Sequence, residues 1–370
     1  MPELSELDNI GQSIWLDFIQ RSFLTSGNLK ALIDRGVKGV TSNPAIFEKA
    51  IAGSTDYDDD IKSLIQKEQT VQAIYESLAF KDIMMAADQL KAVYETTQAR
   101  DGYVSLEVNP DLAHDTDQTI SEAKRLFEAL GKPNVMIKVP ATPAGIPAIT
   151  ELIGSGVNVN VTLIFGLANY HAVAEAYIAG LERLADQGPS VTGGHPVGQV
   201  ASVASFFVSR VDSAVDKALE EVGNSELQGK IAVANSKAAY GAFKNIFKGK
   251  RWQELSKQGA RVQRVLWAST STKNPQYRDT LYIDELIGPD TVNTVPPETL
   301  DAFCDHGQVG LTLTQGLAEA QGQLAQLEDL GIDLAAITKK LQDDGVTAFA
   351  EPFAALMQSI TEKRDRLKAT

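Results

Sequence analysis

Short apolar runs recur along the chain, each separated from the next by a stretch whose apolar residues fall at helical spacing. The runs cover residues 13–17 (SIWLD), 37–42 (VKGVTS), 102–108 (GYVSLEV), 135–140 (VMIKVP), 157–163 (VNVNVTL), 201–208 (ASVASFFV), 262–270 (VQRVLWAST) and 291–295 (TVNTV). Their length and content of β-branched and aromatic residues predict strands. Between them, Leu29, Leu32 and Ile33 lie on one face of a helix over 28–35 that Gly36 stops. Ile120, Ala123, Leu126, Phe127 and Leu130 do the same over 114–130, before Gly131. Residues 47–100 are predicted as a long helical region and 166–185 as a helix, with 186–198 a Gly- and Pro-rich surface insertion. In the last helix Val346, Phe349, Phe353, Leu356 and Ile360 recur at spacings of three and four, the pattern of a docked face.

Eight strands alternating with helices and no change of composition predict an α/β protein, a single (β/α)8 TIM barrel spanning 1–370. Extra helices follow its second strand, and a helical C-terminal extension over 308–370 packs on it. A doubly wound open sheet is the competing architecture, but no G-x-G-x-x-G turn follows the first strand.

Barrel strands are buried on both faces, so polar residues near their C-terminal ends mark an active site. Asp17, Thr41, Asn43, Ser105, Glu107, Lys138, Asn158, Asn160, Thr162, Ser205 and Ser269 all stand in or at the ends of such strands. Lys138 interrupts the driest run. A buried lysine needs a reason: either desolvation and nearby cations favour a neutral amine able to condense with a carbonyl, or the side chain forms a structural ion pair with Glu107 on the adjacent strand. An amine, carboxyl groups to move protons, and hydroxyls and amides to hold a polyhydroxy compound together supply what imine chemistry requires.

Composition narrows the partners. A net charge of −14 repels nucleic acid and anionic membranes, while a few local cations still admit a small anion. Cys304 is the single cysteine, the N-terminus has no apolar leader segment, and no run approaches a membrane span, so a cytoplasmic protein is expected. The histidines (His114, His171, His195, His306) are scattered without metal-ligand spacing, and neither a P-loop nor a G-x-S-x-G elbow occurs, so no metal and no cofactor are expected.

Residues 39–46 (GVTSNPAI), 104–108 (VSLEV), 137–142 (IKVPAT), 158–163 (NVNVTL) and 205–210 (SFFVSR) together resemble the motifs of the transaldolase family, and the likeness runs from Asp17 to about Gly307. The resemblance implies a cofactor-free enzyme of the non-oxidative pentose phosphate pathway, active as a monomer or homodimer. Its reaction would move a dihydroxyacetone unit from sedoheptulose 7-phosphate or fructose 6-phosphate to glyceraldehyde 3-phosphate or erythrose 4-phosphate. It assigns the Schiff base to Lys138, the proton on the hydroxyl at the broken bond to Asp17, and the proton relay to Glu107 with Thr162 and a water. Asn43 and Asn160 would hold the three-carbon unit, with Thr41 and Ser205 lining the pocket. Phosphate would meet Arg210, near Ser269. Where many members carry an arginine soon after Ala-Ser, this chain has residues 268–274 (ASTSTKN), which leaves Lys273, Arg264 or Arg278 as the second cation. Glu107 and Phe207 stand where the shorter fructose 6-phosphate aldolases carry glutamine and tyrosine, which speaks for transfer over simple aldol cleavage. A barrel that binds sugar phosphates without catalysis is the remaining alternative.

Overall fold

The computed structural model describes residues 2–67, 69–191 and 197–368. The strands β1 (Gln12–Leu16), β2 (Val37–Val40), β3 (Tyr103–Glu107), β4 (Val135–Pro140), β5 (Val159–Ile164), β6 (Ser202–Phe207), β7 (Arg264–Ala268) and β8 (Thr291–Val295) pair in parallel, each with its sequence neighbours. β8 returns to β1 and closes the barrel. Closure removes every sheet edge, so the interior is reached only from the two ends. Apolar strand residues such as Trp15, Val104, Ile137, Val161, Phe206 and Trp267 are fully or almost fully buried. Gly39 in β2 lies against the Trp15 indole, where a β-carbon would come within 2.5 Å of the ring.

Helices fill the connections as the periodicity predicts, and the helical region after β2 resolves into Pro44–Ala52, Asp58–Ile65, Val71–Gln89 and Lys91–Thr96. The largest boundary difference follows β5. The helix after β5 runs from Leu167 to Val191, past the predicted start of the 186–198 insertion; residues 192–196 of that segment lie outside the described residues. No helix among the described residues is long and apolar enough to cross a membrane.

The C-terminal helix Leu334–Lys368 buries Phe349, Phe353, Leu356 and Ile360. It is also tied down by polar contacts. Gln342 Nε2 donates to the carbonyls of Ala141 (2.8 Å) and Leu163 (3.1 Å), and Lys363 Nζ meets Asp58 Oδ1 at 2.9 Å.

The N-terminal end of the barrel is sealed by an ion pair. Arg264, at the start of β7, meets Asp101 at 2.9 Å, and both are buried. Asp101 also accepts from Ser13 (2.8 Å) and Trp15 (3.0 Å), while Arg264 donates to Ser13 and to the Arg100 carbonyl. Burial pushes the Asp101 carboxyl up, but the Arg264 charge and these hydrogen bonds outweigh it and hold the group below the usual carboxylate range. Asp101→Ala leaves the guanidinium buried without a counter-charge, so urea unfolding should show a loss of roughly 3–5 kcal/mol. A loss under about 1 kcal/mol would mean that water reaches Arg264.

Candidate active site

At the opposite, C-terminal end of the strands a cavity of about 440 Å³ opens. It is lined by Asp17, Thr41, Asn43, Lys138, Asn160, Thr162, Ser205, Phe207, Arg210, Ser269 and Lys273, while Glu107, Ser105, Asn158, Arg264 and Arg278 stand outside its wall. β-Strand register accounts for the centre. Glu107 pairs with Lys138, and Lys138 with Asn160, across β3, β4 and β5, which places the three side chains in one row on the barrel interior.

Lys138 is buried, with its Nζ 3.3 Å from Glu107 Oε2 and donating to the Ser42 carbonyl at 3.1 Å. The Phe349 ring of the C-terminal helix covers it, 5.4 Å from Nζ to the ring centre. The charges set against it are the carboxylates of Glu107 and Asp17, not the nearby cations expected from the sequence. Glu107 backs onto a small pocket beside Tyr75 and Phe353. Its Oε2 makes no well-angled hydrogen bond, and Thr162 Oγ1 is likewise buried without a partner. Burial drives the Glu107 carboxyl above its ordinary range; Lys138 offsets part of this and Asp17 adds to it.

Asp17 follows β1 at the cavity floor, where Thr41 Oγ1 donates to its Oδ1 at 2.6 Å. Burial raises its carboxyl too, against the opposing pull of Lys138 and the Thr41 hydroxyl. Asn160 is held at both ends of its amide: Nδ2 donates to Ser105 Oγ at 3.0 Å and Oδ1 accepts from Ser205 Oγ at 2.6 Å. Asn43 caps the helix Pro44–Ala52, its Oδ1 accepting from the Ile46 N–H at 3.0 Å. Ser269, with φ +56°, is a non-glycine residue in the left-handed region, and its hydroxyl lies 2.9 Å from that of Ser209.

Cations gather at the mouth. Arg210 lies in the first turn of the helix Ser209–Glu221, with its guanidinium 5.5 Å over the Phe207 ring. Among the described residues it has no carboxylate partner, and burial alone lowers its ordinary value. Lys273 approaches it; burial, then the charges of Arg210 and Lys49, pull the ammonium below its usual range. Lys49, on the helix Pro44–Ala52, lines the same cavity. Arg264 and Arg278 do not take part. The first seals the far end of the barrel, and the second pairs with Asp284 at 3.0 Å and Glu285 at 3.2 Å. Asn158 is also structural, since its amide bridges the Pro133 and Val135 carbonyls and the Ala201 N–H.

The strand-end pattern misses Lys49 and Phe349, which arrive on helices. It also misses Thr294, at the end of β8, although the same rule applied to that strand finds it: its hydroxyl is 2.7 Å from that of Thr41. Among the described residues, no group of three or more His, Cys, Asp or Glu side chains is placed to hold a metal ion.

The family model described as transaldolase/fructose-6-phosphate aldolase matches residues 14–360. The chain is similar to a transaldolase of Trichodesmium erythraeum, 47% identical over 98% of each chain. It is 46% identical to transaldolase 2 of Nostoc punctiforme over 97% of each, and 48% identical to transaldolase 1 of Streptomyces avermitilis over 96% of this chain and 94% of the other. A closed barrel with a buried lysine on its fourth strand and a match over nearly its whole length make this chain a member of the transaldolase/fructose-6-phosphate aldolase family.

Proposed function

We propose that the protein is a transaldolase that moves a dihydroxyacetone unit between sugar phosphates through an imine on Lys138. The observation that carries this reading is the Lys138 amine, shut inside a closed barrel 3.3 Å from Glu107 and facing a cavity whose mouth holds Arg210 and Lys273. In the first step the amine attacks the C2 carbonyl of fructose 6-phosphate or sedoheptulose 7-phosphate. Glu107, whose burial favours its protonated form, works with Thr162 and a water to take up and return protons while the carbinolamine loses water. Asp17 removes the proton from the C4 hydroxyl, the C3–C4 bond breaks, and an aldose phosphate leaves. The three-carbon enamine stays on Lys138, held by Asn43 and Asn160 with Thr41 and Ser205. Addition to glyceraldehyde 3-phosphate or erythrose 4-phosphate reverses these steps, and Asp17 returns its proton.

Arg210, Lys273 and Ser269 receive the phosphate, with Phe207 packing under the guanidinium. The chain works as one barrel domain with residues 308–370 as its helical extension, in the cytoplasm, as a monomer or homodimer, in the non-oxidative pentose phosphate pathway.

Borohydride added with fructose 6-phosphate should leave a substrate-dependent mass increase on the peptide containing Lys138. Lys138→Arg should lose both adduct and turnover while staying folded, because arginine keeps its proton. No adduct on folded wild-type protein would reject the imine and favour a non-catalytic barrel.

The family also contains aldolases that release the three-carbon unit. Glu107 and Phe207 favour transfer here, so fructose 6-phosphate should turn over only when an aldose phosphate acceptor is supplied. Steady release of free dihydroxyacetone without acceptor would assign the chain to the aldolases instead.

Lys138 lowers the proton affinity of both carboxyls around it. In Lys138→Met, carboxyl-carbon NMR should therefore find Asp17 and Glu107 titrating at higher pH than in the wild type. Values that stay put or fall would show that Lys138 is not their counter-charge.

A further inference from the structure

The helix that carries Arg210 also carries two buried carboxylates on its far side, Asp212 and Asp216. Their oxygens all have partners. Asp212 accepts from the Ala232 N–H at 2.7 Å and from the Tyr282 hydroxyl at 2.8 Å. Asp216 accepts from the Gly229 N–H at 3.0 Å and from the Tyr277 hydroxyl at 2.6 Å. Tyr277 and Tyr282 belong to the segment after β7, and that segment is the one that brings Ser269, Ser271 and Lys273 to the cavity. One helix thus delivers Arg210 to the mouth and grips the loop that delivers Lys273.

The grip sits close to Lys273. Tyr277 is four residues further on, and the turn between them is fixed by Asn274, whose carbonyl accepts from the Tyr277 N–H at 3.1 Å and whose Oδ1 accepts from the Gln276 N–H at 3.0 Å. The Tyr277 ring rests on Gly229, which has φ +69° and where a β-carbon would lie 2.8 Å from the ring. A force opposes this arrangement. Arg210 and Lys273 carry like charge, and Lys49 adds a third. Lys273 is already exposed and donates to Ser271 Oγ at 2.8 Å, a residue of the same loop, so an untethered loop would carry the ammonium further from the guanidinium.

We propose that Tyr277 is a positioning residue for phosphate recognition: its hydrogen bond to Asp216 holds the β7–β8 loop so that Lys273 stays opposite Arg210 against their mutual repulsion. The inference rests on the reading of Arg210 and Lys273 as the phosphate site. It makes Tyr277 act through Lys273, so its effect is confined to substrates that carry a phosphate.

The test compares glyceraldehyde 3-phosphate with glyceraldehyde as acceptor, at saturating fructose 6-phosphate, for Tyr277→Phe, Lys273→Gln and the double variant. Tyr277→Phe should raise KM for glyceraldehyde 3-phosphate roughly 3- to 10-fold, the scale of one lost hydrogen bond, and leave kcat and the kinetics with glyceraldehyde unchanged. In the double variant the increase should be no larger than for Lys273→Gln alone. Equal losses on both acceptors, multiplying effects in the double variant, or no effect of Tyr277→Phe beside a clear effect of Lys273→Gln would overturn the positioning role and leave the phosphate site standing. If Lys273→Gln itself leaves KM for glyceraldehyde 3-phosphate unchanged, the phosphate reading of Lys273 fails and takes this inference with it.

Discussion

A lysine amine enclosed in a ring of hydrogen-bonded strands has to be balanced by groups in the same layer, because the ring admits neither water nor side chains from its flanks. Parallel register supplies those groups. Glu107 and Asn160 are the strand partners of Lys138 on either side, so once β3, β4 and β5 align, the carboxylate and the amide stand beside the amine. Losing one member of such a pair costs about 3–5 kcal/mol, which ties the packing of the barrel to the charges inside it. Asp17 is the second carboxyl, brought in by the strand on the other side of β2 and held by Thr41.

The same kind of pair closes the other end of the barrel, and the contrast separates structural from chemical use. Asp101 and Arg264 are surrounded by Ser13, Trp15 and the Arg100 carbonyl, and the carboxyl is held low. Around Lys138 the contacts are looser: Glu107 Oε2 meets the amine at 3.3 Å without a well-angled hydrogen bond, Thr162 Oγ1 has no protein hydrogen-bond partner among the described residues, and the carboxyl is raised. The first pair is surrounded by protein hydrogen bonds, while the second stands beside groups that a guest can engage. The cations at the mouth follow the same rule. In a chain with a net charge of −14, Arg210 could readily have found a carboxylate, yet among the described residues it has none.

The strands and most of the site are legible in the sequence because both depend on short-range pattern. An apolar run with a polar residue at its C-terminal end needs only a parallel barrel to bring that residue inward, and Asp17, Lys138, Asn160 and Ser205 arrive that way. Position along the strand matters as much as polarity. Arg264 and Asn158 lie at the starts of their strands and so face the sealed end, a distinction already present in the sequence. Phe349 and Lys49 were not legible. A docked helical face shows which residues are buried, and an exposed lysine shows charge, but neither shows which end of the barrel it reaches.

That hidden contribution changes what the C-terminal helix is for. Gln342 donates to the carbonyls of Ala141, just past the end of the lysine strand, and Leu163, near the end of its neighbour, and Leu163 adopts a left-handed φ of +60° that a branched side chain rarely takes. Gly345, one turn along, lies against the Leu163 side chain, where a β-carbon would come within 2.9 Å. The next turn sets Phe349 over the Lys138 amine. The helix is therefore seated partly on the distorted end of β5, and the seat fixes where the aromatic ring falls. A lysine at a barrel mouth would otherwise face water, which hydrates the ammonium and competes with a carbonyl for the amine. By covering one side of it with a ring on a helix anchored at the same strands, the fold makes partial shielding of the amine a consequence of docking its own C-terminal helix.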